Sequence, residues 1–173
     1  MSNGSRRSKR LVTAETAPHR ALAPDAPVPE PPAIIVHSLP HALAALRTAA
    51  ETRRAIILAT APNAARYAGP GWFGALVATA RAAVSTAEFT AAIDCGEDAG
   101  AALGALRAGI EMTLFTGHKD VAVRLSEIAA RHGLALRTSR LSVALDLGSE
   151  FFADESRLRQ RCAEFLASAA GIC

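Results

Sequence analysis

From Ala33 onward, short apolar runs alternate with longer segments rich in Ala and Leu. Five such runs occur along the chain: AIIVHS, AIILATAP, EFTAAIDCG, EMTLFTGH and LALRTSRLSVALDLG. Runs of this length, bounded by turn-forming residues and separated by helical spacing, are typical of repeated β-α units. Because the runs lack polar alternation, the sequence predicts an open, mainly parallel α/β sheet of five or six strands with helices on both faces.

Residues at the segment boundaries support helices between these runs. Pro70 suits the first turn of the second helix, because its φ is already helical and its missing N–H would have no partner there. Glu97 and Asp98 stand where the third helix begins, so their carboxylates complement the positive end of the helix dipole. Gly109 and Gly133 are expected to end the third and fourth helices in left-handed conformation. The fold class is therefore flavodoxin-like or Rossmann-like.

The last part of the chain departs from the β-α alternation. The stretch RTSRLSVALDL leaves no room for a crossover helix, so it is either a hairpin with an antiparallel edge strand or one bent strand. The following segment, SEFFADESRLRQRCAEFLASAAGIC, predicts an amphipathic C-terminal helix, because Phe151, Leu158 and Phe165 recur every seven residues. Its apolar stripe packs on its own domain or, in part, forms a homodimer contact.

The first 32 residues have a different composition from the rest. They are rich in Pro and small polar residues without apolar periodicity, which predicts a disordered tail before a single α/β domain over residues 33–173. Most of the net charge of +3 comes from this tail, through SRRSKR and Arg20. The basic cluster is either solubilising or a weak contact for phosphate or an acidic partner. The domain itself has no basic patch that would indicate nucleic-acid binding.

Composition narrows the class of protein further. Half of the residues are apolar, which is ample for one buried core. Cys95, Cys162 and Cys173 are too widely spaced for a zinc site or a disulfide framework, and no phosphate-binding glycine motif occurs. No cofactor or metal is therefore expected. No apolar run is long enough for a membrane span, so a cytoplasmic location fits best, and the Arg- and Ala-rich composition with two lysines indicates a bacterial source.

Polar residues that follow the apolar runs are the candidates for a site, because open α/β sheets bind ligands at the carboxyl ends of their strands. Three of them are suited to acid–base chemistry and are expected to be catalytic: His37, Asp94 and His118. Others at the same end of the sheet are expected to contact a ligand: Ser38, Asn63, Tyr67, Trp72 and Thr116. The alternative is that each caps a helix or satisfies a turn.

Two further features concern the same end of the sheet. The aromatic residues of the APNAARYAGPGWFG segment, Tyr67, Trp72 and Phe73, are either a lid over a ligand or anchors for the next helix. Cys95 is expected to be a packing residue, because the nearby carboxylates of Glu97 and Asp98 oppose formation of a thiolate nucleophile.

Residues 88–133 show partial resemblances to two families. The segment AALGALRAGIEMTLFTG resembles the helix-to-strand step of small TIM-barrel aldolases of the keto-deoxy-phosphogluconate type, although no lysine matches their Schiff-base residue. The same units resemble a response-regulator receiver domain, with Asp94 and Thr116 matching the phospho-acceptor and the switch hydroxyl. Here His37 and Ser38 replace the acidic pair expected after the first strand.

Two functions follow from these features. The first is binding of a small molecule at the carboxyl ends of the strands, with lyase-like chemistry as the catalytic extension. The second is a non-catalytic regulatory or scaffold module, similar to a degenerate receiver, that acts through the tail and the C-terminal helix. The sequence does not decide whether the protein is an enzyme.

Overall fold

A computed structural model of the chain describes Met1 and residues 30–142 and 144–169. The strands are β1 (Ala33–Val36), β2 (Ile56–Thr60), β3 (Phe89–Asp94), β4 (Met112–Leu114), β5 (Ala135–Arg137) and β6 (Ala144–Asp146). The α-helices are α1 (Leu39–Thr52), α2 (Gly69–Ala83), α3 (Ala99–Arg107), α4 (Lys119–Arg131) and α5 (Glu155–Ala169). Nearly all of the predicted tail lies outside the described residues, so its disorder stays a prediction.

The six strands form one open sheet in the order β5-β4-β3-β2-β1-β6. Every neighbouring pair is parallel, and the pairing places Ala33 opposite both Ile57 of β2 and Ala144 of β6. The open, parallel α/β sheet predicted from the sequence is therefore confirmed.

The helices pack against one face of this sheet. The main core joins buried residues of all five helices to alternate strand residues such as Ile34, Leu58 and Ile93. The opposite face carries a small separate cluster, Ala33, Ile57, Ala59 and Ala92, without helix residues. Strands β1 to β5 follow one another in chain order, so right-handed crossovers leave α1 to α4 on the same side. In this one respect the open sheet differs from the expected flavodoxin-like or Rossmann-like arrangement, which has helices on both faces.

The connection from β5 to β6 is neither the hairpin nor the bent strand expected from the sequence. Strand β6 pairs with β1, at the opposite edge of the sheet from β5. The linking residues cross the face that carries no helix, where Leu141 packs on the small cluster. Glu30 holds this link through an ion pair with Arg137 and a hydrogen bond from Ser142. The crossing is possible because that face is not already covered.

Several predicted helix boundaries are confirmed. Pro70 lies in the first turn of α2, and the Asp98 carboxylate accepts the Ala101 amide at the start of α3. Gly109 and Gly133 have φ values of +72° and +67°, the left-handed conformation expected after α3 and α4.

The C-terminal helix begins later along the chain than predicted. It begins at Glu155, because Asp154 precedes it as a cap and its carboxylate accepts the Arg157 amide. Leu158, Cys162 and Leu166 are buried in the main core, so most of the apolar stripe packs within the domain. Phe151 lies before the helix and does not belong to the stripe. Within the described part of the chain, no helix has the length and apolar character needed to cross a membrane.

Candidate functional site

His37 and Asp146 meet where β1 and β6 end side by side. The register places Ile35 opposite Asp146, so His37 follows at the same edge. The His37 Nε2–H donates to Asp146 Oδ1 over 2.6 Å, and the Gly148 amide donates to the same oxygen over 2.8 Å. A Cβ at Gly148 would lie 2.9 Å from His37 Nε2, so only glycine fits there without displacing the ring. The imidazole is therefore held in one orientation.

The surroundings keep Asp146 ionised. Partial burial raises its pKa, but the hydrogen bond from His37 and the amide of Gly148 lower it more, and the net pKa lies below the usual value. An ionised carboxylate on one ring nitrogen favours the proton on that nitrogen. The Nδ1 atom of His37 is then the nitrogen able to accept a proton.

A second histidine, His41, lies directly behind His37. It is fully buried in the first turn of α1, and its Nδ1 accepts the His37 backbone amide over 3.3 Å. Its ring packs edge-on against Phe151, with the ring centres 5.6 Å apart. Burial, followed by the neighbouring His37, lowers the pKa of His41. The backbone of Glu150 and Phe151 raises this pKa, but by less. The Nε2 atom of His41 has no hydrogen-bond partner of normal geometry among the described residues. His41 is therefore neutral at pH 7.

Sequence reasoning missed both Asp146 and His41. Asp146 falls in a stretch for which the sequence predicts a hairpin or a bent strand, so the sequence does not place it beside β1. His41 stands inside an Ala- and Leu-rich helix, where a single polar residue gives no signal. The spacing of four residues from His37 was the one available clue, since such residues are neighbours at a helix start.

His37 lines a groove of about 420 Å³ between the start of α1 and α2. The groove is formed by His37, Ser38, Leu39, Trp72, Ala75, Leu76 and Thr79. It thus brings together three of the predicted site residues, His37, Ser38 and Trp72. Ser38 also caps α1, since its Oγ accepts the His41 amide over 3.4 Å. Its hydroxyl proton remains able to donate to a ligand.

The aromatic residues before and within α2 have different environments. Phe73 is fully buried and anchors α2 to the core. Trp72 is 41% exposed and forms part of the groove wall. Tyr67 is exposed, and its hydroxyl donates to the Pro62 carbonyl over 2.8 Å, away from the groove-lining set. The anchor interpretation therefore holds for Phe73, while ligand contact by Trp72 and Tyr67 stays a prediction.

Asp94 lies at the end of β3 on the face without helices. Its Oδ1 accepts the amides of Asn63 and Gly96, both over 2.9 Å, and its own amide donates to Thr60 Oγ1. Gly96 has a φ of +55°, and a Cβ there would overlap the Asn63 side-chain oxygen. Asn63 and Gly96 thus fix the carboxylate, which lines a second cavity of about 190 Å³.

The three predicted catalytic residues have different partners. His37 binds Asp146, and Asp94 binds backbone amides. His118 is exposed and caps the start of α4, where its Nδ1 accepts the Asp120 amide over 3.3 Å. Thr116 donates its amide to the Gly96 carbonyl, beside the Asp94 loop. The structure therefore divides the predicted set between two cavities and a helix cap, and their catalytic roles stay predictions.

Cys95 is fully buried next to Asp94. Burial, followed by the charges of Asp94 and Asp98, raises the pKa of its thiol to about 12. The thiol stays protonated at neutral pH and packs in the core, as expected. Among the described residues, no group of three or more His, Cys, Asp or Glu side chains is arranged to hold a metal ion.

Fold and site together define an open α/β protein with titratable side chains at the carboxyl ends of its strands. No family model matches the sequence, and no curated protein matches it. Among solved structures, the chain is similar to a Coccidioides immitis protein described as a fructose-1,6-bisphosphate aldolase, at 26% identity and a TM-score of 0.48. The likeness covers 62% of this chain and 40% of that protein, so the chain spans two fifths of its length.

At this TM-score the likeness assigns no residue a role. The resemblance to receiver domains does not extend to the topology. Receiver domains have the strand order 2-1-3-4-5, with β1 between β2 and β3. Here β2 pairs with β3, and β1 lies between β2 and β6.

Proposed function

We propose that the protein binds a small molecule in the groove beside His37, and that His37 moves a proton to or from it. The observation that carries this proposal is the 2.6 Å hydrogen bond that holds His37 to Asp146 at the wall of a groove of about 420 Å³. A base oriented by a carboxylate beside an open groove is the arrangement that general acid–base catalysis requires.

The groove wall indicates the class of ligand. Leu39, Leu76 and Trp72 provide an apolar surface, with Trp72 suited to stacking on a ring. Among the described residues that line the groove, His37 is the only ionisable one. The groove therefore has no permanently charged side chain that would bind an acidic or a basic ligand. We expect a molecule with an apolar or aromatic body and a hydroxyl or carbonyl group that reaches His37. A lyase-like reaction would use the same proton transfer to break a bond beside the deprotonated atom.

The single tryptophan makes this proposal testable without a known substrate. Trp72 is the only tryptophan in the chain, so the protein gives one indole N–H cross-peak in a ¹⁵N-correlated NMR spectrum. We choose 4-methylphenol as the probe and toluene as its partner without the hydroxyl. The expected result is a saturable shift of the indole cross-peak with 4-methylphenol and binding weaker by roughly tenfold for toluene, since the hydrogen bond to His37 is lost.

Variants assign this effect to His37. His37→Gln should weaken 4-methylphenol binding by about tenfold, whereas His132→Gln, at an exposed histidine after α4, should leave it unchanged. Equal binding of toluene and 4-methylphenol, or equal binding by the two variants, would contradict the proposal.

An exposed aromatic pair favours the second candidate, a module that acts through contacts with a partner. Phe152 is 96% exposed and Phe151 is half-exposed, just before α5, with the rings 5.1 Å apart. An exposed pair of this kind is typical of a contact surface, here for a homodimer. Light scattering should then give a dimer mass for the parent and a monomer mass for Phe152→Ser. A monomer mass for the parent would exclude the homodimer.

A further inference from the structure

The second cavity lies on the face of the sheet that carries no helix. It has a volume of about 190 Å³, which is the space of about six water molecules at roughly 30 Å³ each. Its wall is formed by Ile35, Thr60, Pro62, Asp94, Leu114, Arg140, Leu141 and Ala144. The site is therefore separate from the groove beside His37, with which it shares no residue.

Asp94 contributes a buried carboxylate to this cavity, and among the described residues only one of its two oxygens accepts hydrogen bonds. The residue is 5% exposed, and both of its backbone amide partners, Asn63 and Gly96, donate to Oδ1. Within the described part of the chain, no hydrogen bond reaches Oδ2. The Oδ2 atom is therefore available to a hydrogen-bond donor on a ligand in the cavity.

Arg140 offers the same cavity a positive charge from the link between β5 and β6. The guanidinium of Arg137 holds this part of the link, since it donates to the Arg140 carbonyl and to Ser139 Oγ. No ion pair joins Arg140 to Asp94 or to any other carboxylate among the described residues. The lining of the cavity thus includes a carboxylate and an exposed arginine that form no ion pair with each other, together with apolar side chains.

We propose that this cavity binds a small amino acid. The ammonium group donates to Asp94 Oδ2, the carboxylate accepts from Arg140, and the side chain contacts Ile35, Leu114 and Leu141. The volume suits a molecule with few non-hydrogen atoms. The separated charges of the cavity recognise both ends of the amino acid. A ligand with one charged group leaves the other charge of the cavity without a partner.

The experiment compares L-alanine with two probes that each lack one charged group, propionate and ethylamine. The readout is the pair of Asn63 and Gly96 amide cross-peaks, because both amides donate to the Asp94 carboxylate. L-alanine should shift both cross-peaks in a saturable way, and each of the other probes should bind at least about tenfold more weakly. The Trp72 indole cross-peak should not move, which separates this outcome from that of the groove beside His37.

Two variants assign the charges. In Asp94→Asn, the side-chain oxygen can still accept hydrogen bonds from both backbone amides, so the fold is kept. The position of Oδ2 is then occupied by the amide NH2 group of asparagine, which donates and carries no charge. In Arg140→Gln, the change lies in an exposed link and leaves the core intact. Each should weaken L-alanine binding by at least about tenfold, whereas Arg131→Gln, at the end of α4, should not. Binding of propionate or ethylamine as tight as that of L-alanine, unchanged binding by either site variant, or no shift up to the solubility limit would overturn the proposal.

Discussion

Replacing Asp146 by asparagine separates the role of the carboxylate in holding His37 from its role in stability. The His37 and Asp146 side chains are 27% and 52% exposed, so solvent screens their attraction. Such a pair contributes at most about 1 kcal/mol to the free energy of unfolding. The asparagine oxygen can still accept the Gly148 amide, so the local turn is kept. We expect Asp146→Asn to lower the melting temperature by no more than roughly 2–4 °C.

The expected effect on the groove is larger than the effect on stability. The neutral asparagine oxygen accepts a weaker hydrogen bond from His37 Nε2–H than the carboxylate does, so the proton is held less strongly on Nε2 and Nδ1 is less available to accept one. Binding of 4-methylphenol, followed by the Trp72 indole cross-peak, should weaken by about tenfold. Asp120→Asn, at an exposed carboxylate beside His118, is the matched control and should change neither quantity.

Two results would refute this reasoning. A loss of more than about 2 kcal/mol in urea unfolding would show that the pair is structural, since an exposed pair cannot contribute that much. Unchanged binding of the probe would show that Asp146 does not determine the state of His37. The dependence of stability on acidic pH provides a further check. Because folding lowers the pKa of Asp146, its ionised carboxylate contributes to the free energy of unfolding above about pH 4. This contribution is lost as the pH falls through the folded-state pKa. That contribution should be absent from Asp146→Asn.

Two further predictions concern stability. Because folding lowers the pKa of His41, the unfolded chain binds more protons below about pH 6.5, and the unfolding free energy should rise from pH 5 to 6.5 by at most about 1.4 kcal/mol per pH unit. Urea unfolding of His41→Leu should lack this rise, and the same rise in both proteins would show that His41 is not its source. Gly96→Ala should cost at least about 2 kcal/mol, because it combines left-handed strain with overlap on Asn63, whereas Gly109→Ala meets no atom within 4 Å and should cost about 1 kcal/mol. Equal costs would contradict the close approach of Asn63.

The sequence was sufficient for the elements whose signals are local. Apolar runs, Pro70, Asp98 and Gly133 each act within a few residues, and the structure confirms the helix boundaries that they predict. The open parallel sheet also follows from such local patterns, because each β-α unit brings its own crossover.

What the sequence did not provide was the arrangement of units that lie far apart along the chain. Periodicity shows that a strand is buried but not which strand lies beside it, so the pairing of β6 with β1 was missed. The role of Asp146 was missed for the same reason, because it depends on a hydrogen bond with His37, which lies 109 residues away in the sequence. The packing of the helices on one face depends on the side on which each new strand joins the sheet, and the apolar pattern does not show that side.

The proposed ligand lies in the groove against both His37 and Trp72. Intermolecular nuclear Overhauser effects between bound 4-methylphenol and the protein report this placement. We expect contacts from the ring protons of the probe to both the His37 imidazole and the Trp72 indole, and their loss in His37→Gln. Contacts to Trp72 without any to His37, or contacts only to residues outside the groove, would contradict it.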